Sequence, residues 1–333
     1  MPSTPAGPIT RRRASTLLTV LGWLVVVPLA AVAAARLVAW DARTVLVELN
    51  ALTPVLYLPA WAVLAGAAFG RRWALAAAAA LVAIAHLTFI LPEVLASEPV
   101  PAAARTAPSF RVFDGNMYAH NDAAAAYGEE IRQSRPDVVV LQEVTTVLLR
   151  QLDAAGVFAD LPYRMTIARR DPFAATIVSR WPLLEQDVTM VQGRPVIMQA
   201  TIEPAVGRPV RLFGVHTLSP VAGGRDDWIA GLKAIRTAVK AEQTRPVMVV
   251  GDFNATWGHR QFRAILDAGL TDAAAARGHA FAMTWPRNHA VAPPVVRIDH
   301  VLTTSGLAVK SIRTGTGRGS DHRPLAADVA VFR

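Results

Sequence analysis

The chain has 333 residues, 53% of them hydrophobic, and carries 34 Lys and Arg against 25 Asp and Glu, a net charge of +9. A mean hydropathy of +0.32 excludes an ordinary soluble domain of average composition. Cysteine is absent, which excludes a disulfide framework and says nothing of compartment.

The apolar excess lies at one end. Up to about Ala104 the sequence is dominated by Ala, Val and Leu, and from Arg105 onward it reads as a mixed globular domain. Three apolar stretches, Thr16–Trp40, Leu49–Phe69 and Trp73–Leu91, each have about the length that crosses a ~30 Å hydrocarbon core. The first holds one charge, Arg36, near its far end, and the second contains Pro54 and Pro59, which membrane spans tolerate. The third is interrupted only by His86, read as a packed or interfacial histidine. Arg11-Arg12-Arg13 ahead of the first stretch would also suit a signal peptide, but the stretch is long for one and two more follow.

With three spans, Arg11–Arg13 and the pair Arg71 and Arg72 fall on one side, opposed more weakly by Arg36 and Arg43. The positive-inside bias then predicts a multi-pass plasma-membrane protein with a cytoplasmic amino terminus and an extracytoplasmic C-terminal domain. Residues 1–96 therefore read as a membrane anchor with spans at about 16–40, 49–69 and 73–91. Residues 97–108 read as a Pro/Ala linker, and 109–333 as the globular domain. From Arg105 the domain has 27 Lys and Arg against 21 Asp and Glu, a net +6. That balance favours anionic lipid or phosphate ligands, and no Lys/Arg run marks a nucleic-acid track.

Along the domain, Ser109–Phe113 predicts a strand ending near Asn116, followed by a helix over Asp122–Arg135. Asp137–Leu141 is a second, buried strand with Gln142-Glu143-Val144 at its end, and Ala174–Ser179 is a third. Pro195–Glu203 and Arg208–Val215 pair as a hairpin that ends on His216. Trp228, Leu232, Ile235 and Val239 recur at helical spacing within Asp226–Ala241. Pro246–Val250 is an apolar strand that delivers Gly251-Asp252-Phe253-Asn254-Ala255 to its C-terminal end. Side chains alternate along an extended backbone, so Asp252 and Asn254 face one side and Phe253 the other. A helix over Arg260–Ala268 follows, then strands at Ile298–Leu302, Leu307–Arg313 and Leu325–Phe332, with a Gly-rich connector at Gly315–Asp321. Many strands with few helices argue for sheet packed on sheet with helices outside. The Ala runs 123–126 and 273–276 read as helix surface.

Strand ends and loops thus carry Asn116, Glu143, His216, Asp252 with Asn254, and Asp299 with Asp321-His322. An acid directly after a fully apolar strand, as at Glu143, is costly unless paired or bound to a cation. Mg²⁺ or Mn²⁺ asks for few carboxylates plus neutral oxygens, a demand that Glu143 with Asn116 meets. His322 exchanges a proton near neutral pH, and a carboxylate such as Asp299 would hold its tautomer. Taken singly, Asn116 could be a turn residue, Glu143 a helix-start acid and His216 a core histidine. His300 points to the face opposite Asp299 and reads as structural, while His120, His259, His279 and His289 receive no role.

In chain order the sequence shows Asn116 after a strand, Leu141-Gln142-Glu143-Val144, Ile177-Val178-Ser179-Arg180-Trp181-Pro182 and Gly214-Val215-His216-Thr217. It continues with Gly251-Asp252-Phe253-Asn254-Ala255, Arg297-Ile298-Asp299-His300-Val301 and Ser320-Asp321-His322-Arg323-Pro324. This series resembles the endonuclease/exonuclease/phosphatase superfamily over about Phe110–Phe332. The resemblance implies a four-layer α/β sandwich, two packed mixed sheets flanked by helices, with the site at one edge of both sheets. It implies that Asn116 and Glu143 hold the metal with help from Asp321, and that Asp252 orients or deprotonates the attacking water. Asn254 would bind the phosphate, His216 would stabilise the transition state, and Asp299 with His322 would form the acid/base pair. Phe113-Asp114-Gly115 departs from the family pattern, where a Thr or Ser beside an aromatic residue usually precedes the Asn.

Three spans followed by an outer catalytic domain, with Thr284-Trp285-Pro286 ahead of Ile298-Asp299-His300, resemble a membrane-anchored bacterial group of that superfamily. Some of its members are linked to glycopeptide resistance, with lipid-linked cell-wall intermediates as suggested substrates. The resulting expectation is a metal-dependent phosphoester or phosphoanhydride hydrolase acting outside the cytoplasm on a membrane-associated phosphate. The alternatives are an extracytoplasmic nuclease on DNA or RNA and a catalytically inactive, membrane-tethered binding protein. A nuclease would ask for a basic groove with stacking aromatics, against a scattered positive excess here.

Overall fold

Two N-terminal helices, Thr16–Ala39 and Trp73–Val94, are long and apolar enough to cross a membrane in the computed structural model, which describes residues 8–221, 224–287 and 293–332. Between them Thr44–Ala51 and Thr53–Phe69 bend by 72° at a break, and the pair makes a third span if counted as one. The chain separates into two compact units, Met1–Pro92 and Glu93–Arg333.

The first unit is helical: α1 (Pro8–Ala39), α2 (Thr44–Ala51), α3 (Thr53–Leu56), α4 (Leu58–Phe69) and α5 (Trp73–Val94). Pro54 and Pro59 lie in the first turns of α3 and α4. There the missing N–H costs nothing, but continuation of the preceding helix is blocked. This explains why the uninterrupted apolar stretch 49–69 is not one straight helix. At the break, Arg36 Nη1 donates to Thr53 Oγ1 (2.5 Å), which donates on to Asn50 O (2.6 Å). His86 is packed, as expected, and its Nδ1 accepts from Trp61 Nε1 at 3.1 Å.

The second unit contains α6 (Ala102–Arg105), β1 (Ser109–Asn116), α7 (Ala124–Ser134), β2 (Val138–Gln142), α8 (Thr146–Ala154), β3 (Tyr163–Ile167) and β4 (Ala175–Ser179). It continues with β5 (Leu184–Val191), β6 (Arg194–Ala205), β7 (Arg208–His216), α9 (Arg225–Ala241), β8 (Val247–Asp252) and α10 (Arg260–Leu266). The last elements are β9 (Thr271–Asp272), α11 (Ala273–Ala276), β10 (Asp299–Thr303), β11 (Leu307–Thr314) and β12 (Leu325–Val331). Within residues 97–108, Ala104 is buried against Ala308 and Ala330.

Two six-stranded sheets result, ordered β11-β12-β1-β2-β4-β3 and β5-β6-β7-β8-β10-β9. Each has one parallel pair at its centre, β1 with β2 and β7 with β8, linked through α7 and α9, because parallel neighbours need a crossover. Strand alternation sorts the core. Val138 and Val140 turn inward against Met198, Leu212, Met248 and Val250 of the other sheet. Val139 and Leu141 turn outward against Tyr127 and Ile131 of α7 and Leu148 and Leu152 of α8. The four layers are those expected, two mixed sheets with helices outside. At Gly214 a Cβ would lie 3.0 Å from Val140 Cγ1, so glycine permits the close approach of the sheets.

The run Ala273–Ala276 corrects the sequence reading. All four residues are buried, since α11 is capped by Asp272, whose side chain accepts from the Ala274 and Ala275 N–H groups. The Gly315–Asp321 connector is tied down by Glu130, which accepts from Thr316 Oγ1 (2.9 Å) and Gly317 N (3.1 Å).

Candidate active site

Because β1, β2, β7 and β8 run to the same edge, their C-terminal ends bring Asn116, Glu143, His216 and Asp252 together. Asp299 opens β10 directly opposite Asp252 in the antiparallel ladder. His322 lies just ahead of β12, which pairs antiparallel with β1. One edge of two sheets therefore collects groups spread over some two hundred residues.

The hub is one oxygen, Asp252 Oδ2. It accepts from Asn116 Nδ2 at 3.1 Å and Asn254 Nδ2 at 3.3 Å. His216 Nε2 and His322 Nε2 each lie 3.8 Å from it. The other oxygen, Oδ1, accepts from Asn254 N at 2.8 Å. Gly251 holds φ at +145°, where a Cβ would run into Val215 O, so the glycine of the Gly-Asp-Phe-Asn run serves the backbone path. Asn254 has φ 46°, and its Nδ2 also donates to Thr217 O at 3.0 Å. Burial pushes the Asp252 carboxyl up to about 6, with His322 and His216 pulling the other way.

Glu143 sits at φ 55°, an unfavourable backbone state for a non-glycine residue and one that collects at functional sites. Its Oε1 accepts from Asn116 Nδ2 at 3.1 Å and its Oε2 from Ala119 N at 3.0 Å. His216 Nε2 is 3.9 Å from Oε1. A single Asn116 amide thus bridges two carboxylates, while its Oδ1 accepts from Tyr118 N at 2.9 Å.

His322 Nδ1 lies 2.9 Å from Asp299 Oδ2, which directs Nε2 toward Asp252. Burial works against a proton on the ring, but Asp299 and Asp252 outweigh it and raise the pKa to about 10. Asp252, Asp299 and His322 offer ligand atoms all within 4.8 Å of one another. Asp321 lies apart from this trio, its Oδ2 accepting from Trp285 Nε1 at 3.2 Å. All eight expected site residues fall along this edge, with Asp321 at its rim.

Several participants were not singled out from the sequence. Ser320 Oγ donates to Asn116 O (2.7 Å) and accepts from His322 N (2.9 Å), joining the end of β1 to the histidine. Thr284 Oγ1 accepts from Ile298 N at 3.1 Å, steadying the start of β10. Phe173 stands with its ring centroid 6.3 Å from that of His216. Ser320 and Thr284 belong to the runs Ser320–Pro324 and Thr284–Pro286, and Phe173 to neither. Asp114, the family departure, is fully buried and held by Gln142 Nε2 at 3.0 Å. Burial, and then the charge of Asp299, keep its carboxyl well above the usual range.

His300 is structural, as read. Its Nδ1 is 3.0 Å from Asp272 and its Nε2 2.9 Å from Ala255 O. Arg297, buried, joins Asp272 at 2.7 Å and also Glu93. His259 is buried rather than in a polar loop, and its Nδ1 accepts from Thr256 N at 2.9 Å. His289 lies outside the described residues.

The donor set is made of hard oxygens, from Glu143, Asp252, Asp299 and Asp321, while Asn116 turns its Nδ2 to two of them and its Oδ1 to Tyr118 N. Among hard cations it suits Mg²⁺ or Mn²⁺. Among the described residues Glu143, Asp252, Asp299 and Asp321 lie along this edge with His216 and His322, so a divalent cation fits the local excess of acids.

No curated protein matches the chain. Among solved structures it resembles mannosyl-6-phosphatase from Bacteroides thetaiotaomicron at 15% identity and TM-score 0.54, covering 66% of this chain and 99% of the other. D. rerio TDP2 complexed with single-strand DNA product matches at 19% identity and TM-score 0.55, covering 67% and 99%. Sphingomyelinase C from Streptomyces griseocarneus matches at 17% identity and TM-score 0.50, covering 66% and 99%. These likenesses concern the fold. The model of the endonuclease/exonuclease/phosphatase family matches residues 115–322, from the end of β1 to His322 itself, and the chain belongs to that family.

Proposed function

We propose that the protein is a membrane-anchored, divalent-metal-dependent hydrolase of phosphoester or phosphoanhydride bonds, acting outside the cytoplasm on a lipid-linked phosphate. The observation that carries the reading is the convergence of Asn116, Asn254, His216 and His322 on Asp252 Oδ2. Amide donors and imidazoles around one buried carboxylate suit a phosphoryl group and an attacking water.

His322 has its Nδ1 engaged by Asp299 and carries a proton, so the Asp252–Asp299–His322 trio serves as an acid–base set. Glu143, with Asp321 assisting, is left to hold the cation, and Asn116 would join them on turning its Oδ1 from Tyr118 N toward the site. Such a cation neutralises charge on phosphoryl oxygens when bound. Asp252 orients the water and takes its proton, Asn254 holds a phosphoryl oxygen, and His216 faces the charge that develops. The His322 imidazolium donates through Nε2 to a phosphoryl or leaving oxygen.

Membrane placement rests on the two long apolar helices and on the arginine bias. The globular unit follows the last of these helices in the chain with only residues 95–108 between α5 and β1, so tethering would raise its effective concentration toward bilayer-held substrates. The test offers full-length protein in lipid vesicles with Mg²⁺ a polyprenyl pyrophosphate and plasmid DNA in parallel. Faster phosphate release from the lipid supports the reading, and faster DNA cleavage replaces it with a nuclease. Turnover of neither leaves the inactive binding protein.

A further inference from the structure

Glu93 lies in the last turn of α5, a helix long and apolar enough to cross a membrane, where an ionisable side chain is costly. The compact globular unit begins at this residue, and Glu93 is buried. Its Oε1 accepts from Nη2 of Arg297, which stands 204 residues further along the chain and is also buried.

Arg297 comes two residues ahead of Asp299. Its Nη1 reaches both carboxylate oxygens of Asp272, at 2.9 and 2.7 Å, and lies 2.9 Å from His300 Nδ1. Its Nε makes only a long contact, 3.4 Å, with Ala280 O. Glu93 takes the remaining nitrogen, and a buried guanidinium N–H deprived of its acceptor is unfavourable enough to make the side chain move. The segment that carries Glu93 is itself held at this corner. Glu98 N donates to Ala276 O at 3.1 Å, and Arg277 Nη2 donates to Glu98 O. Ala276 closes α11, the helix that Asp272 caps.

From Arg297 the network crosses to the other side of the site. His300 Nε2 donates at 2.9 Å to the carbonyl of Ala255, directly after Asn254. Phe253 N donates at 2.9 Å to Ile298 O, between Arg297 and Asp299. Contacts from Glu93 through Arg297 and His300 thus tie the start of β10 to the end of β8, the two strand ends that carry Asp299 and Asp252. Asp299 keeps its oxygens 3.1 and 2.9 Å from His322 Nδ1. Misplacing such a group by about 1 Å costs about 10²-fold in rate. Resting on the hydrolase reading above, we infer that Glu93 is a positioning residue of the acid–base set: through Arg297 and His300 it fixes where Asp299 holds His322 against Asp252.

The test compares full-length wild type, Glu93→Ala, Glu93→Gln and Glu242→Gln in detergent. Glu242→Gln weakens an ion pair with Arg245, at 2.7 Å beyond the end of α9, and is the control for lost stability alone. Three readouts are taken: hydrolysis of bis(4-nitrophenyl) phosphate with Mg²⁺, the ¹H–¹⁵N signal of His322 Nδ1 without metal, and hydrogen exchange of backbone amides. Glu93→Ala is expected to lower kcat at least about tenfold while KM stays within about twofold. It also moves the His322 signal and speeds exchange at the Phe253 amide but not at the amides of β2. Glu93→Gln keeps an oxygen for Arg297 Nη2, so its effects have the same direction and smaller size, and it carries the comparison if Glu93→Ala does not fold. Glu242→Gln leaves kcat, the His322 signal and the Phe253 amide as in the wild type.

Wild-type kcat and His322 signal in both Glu93 variants overturn the inference. So do losses that follow the melting temperature alike in the Glu93 variants and Glu242→Gln, which leave Glu93 as a structural pair. In either case diester hydrolysis by the wild type keeps the hydrolase reading standing. If the wild type leaves both the diester and a polyprenyl pyrophosphate intact, the hydrolase reading falls and takes the positioning role with it.

Discussion

His322 Nδ1 lies 2.9 Å from Asp299 Oδ2, with both side chains buried. Asp299 is also the ladder partner of Asp252, so the residue that positions the histidine is registered against the hub carboxylate by backbone pairing. In the metal-free protein His322 is expected to titrate near pH 10, and Asp299→Asn to bring it down by more than one unit. The folded value exceeds the unfolded one of about 6.5, so the stabilisation is complete below that pH and is lost as pH rises through about 10. Imidazole ¹⁵N shifts followed over pH 6–11 check it, and a ring neutral at pH 8 would refute the pairing.

Asp252→Asn is expected to lower turnover by about 10²–10⁴-fold without unfolding the domain. The wild-type carboxyl titrates near 6 because burial raises it, so the ionised form dominates only above that pH. Turnover in the presence of Mg²⁺ is therefore expected to fall on the acid side, as Asp252 takes up a proton. A profile flat from pH 5 to 8 would remove Asp252 from the chemistry.

Glu143→Gln tests the cation. The carboxylate of Glu143 shares the Asn116 amide with Asp252, and neutralising it weakens the attraction for a divalent ion. The expected outcome is a rise of at least about tenfold in the Mg²⁺ concentration needed for half-maximal activity. Full activity of the wild type in excess chelator would show that no metal is needed.

Asp272→Asn tests the support behind β10. Asp272 is buried with Arg297 at 2.7 Å and His300 at 3.0 Å. Burial opposes its charge, but Arg297 and His300 outweigh that and hold the carboxyl far below its usual value. Its contribution is therefore complete above the unfolded pKa of about 3.9 and is lost as pH falls below it. Breaking a buried pair from one side costs about 3–5 kcal/mol. Thermal melts at pH 7 and pH 2 should show a large loss for the variant at neutral pH and a shallower acid dependence than the wild type.

Gly251→Ala is expected to destabilise the domain by more than about 1 kcal/mol, because φ there is +145° and the space belongs to Val215 O. Activity should fall together with stability, since the next residue is Asp252. A variant that melts with the wild type would show that the backbone path at the hub is less constrained than this geometry requires.

The residues of the site and their order were legible in the sequence, because short apolar runs such as Val138–Leu141 and Val247–Val250 can be little else than buried strands. A polar group at the end of such a run stands out for its desolvation cost. The same local signal fails where burial is partial. β5 has no fully buried residue, and β3 has one, so neither edge strand showed a readable alternation. Composition also misplaced Ala273–Ala276, because alanine is neutral between surface and core and the cap at Asp272 together with its neighbours decided the matter. Apolarity marked the stretch 49–69 as a possible span, yet the 72° bend depends on prolines and on Arg36 reaching Thr53. Tertiary structure alone decided that Asp252 Oδ2 is the common acceptor and that Phe173 stands beside His216. Those relations depend on which strands are neighbours and in what register. Strand pairing joins residues far apart in the chain, and no local periodicity encodes the partner.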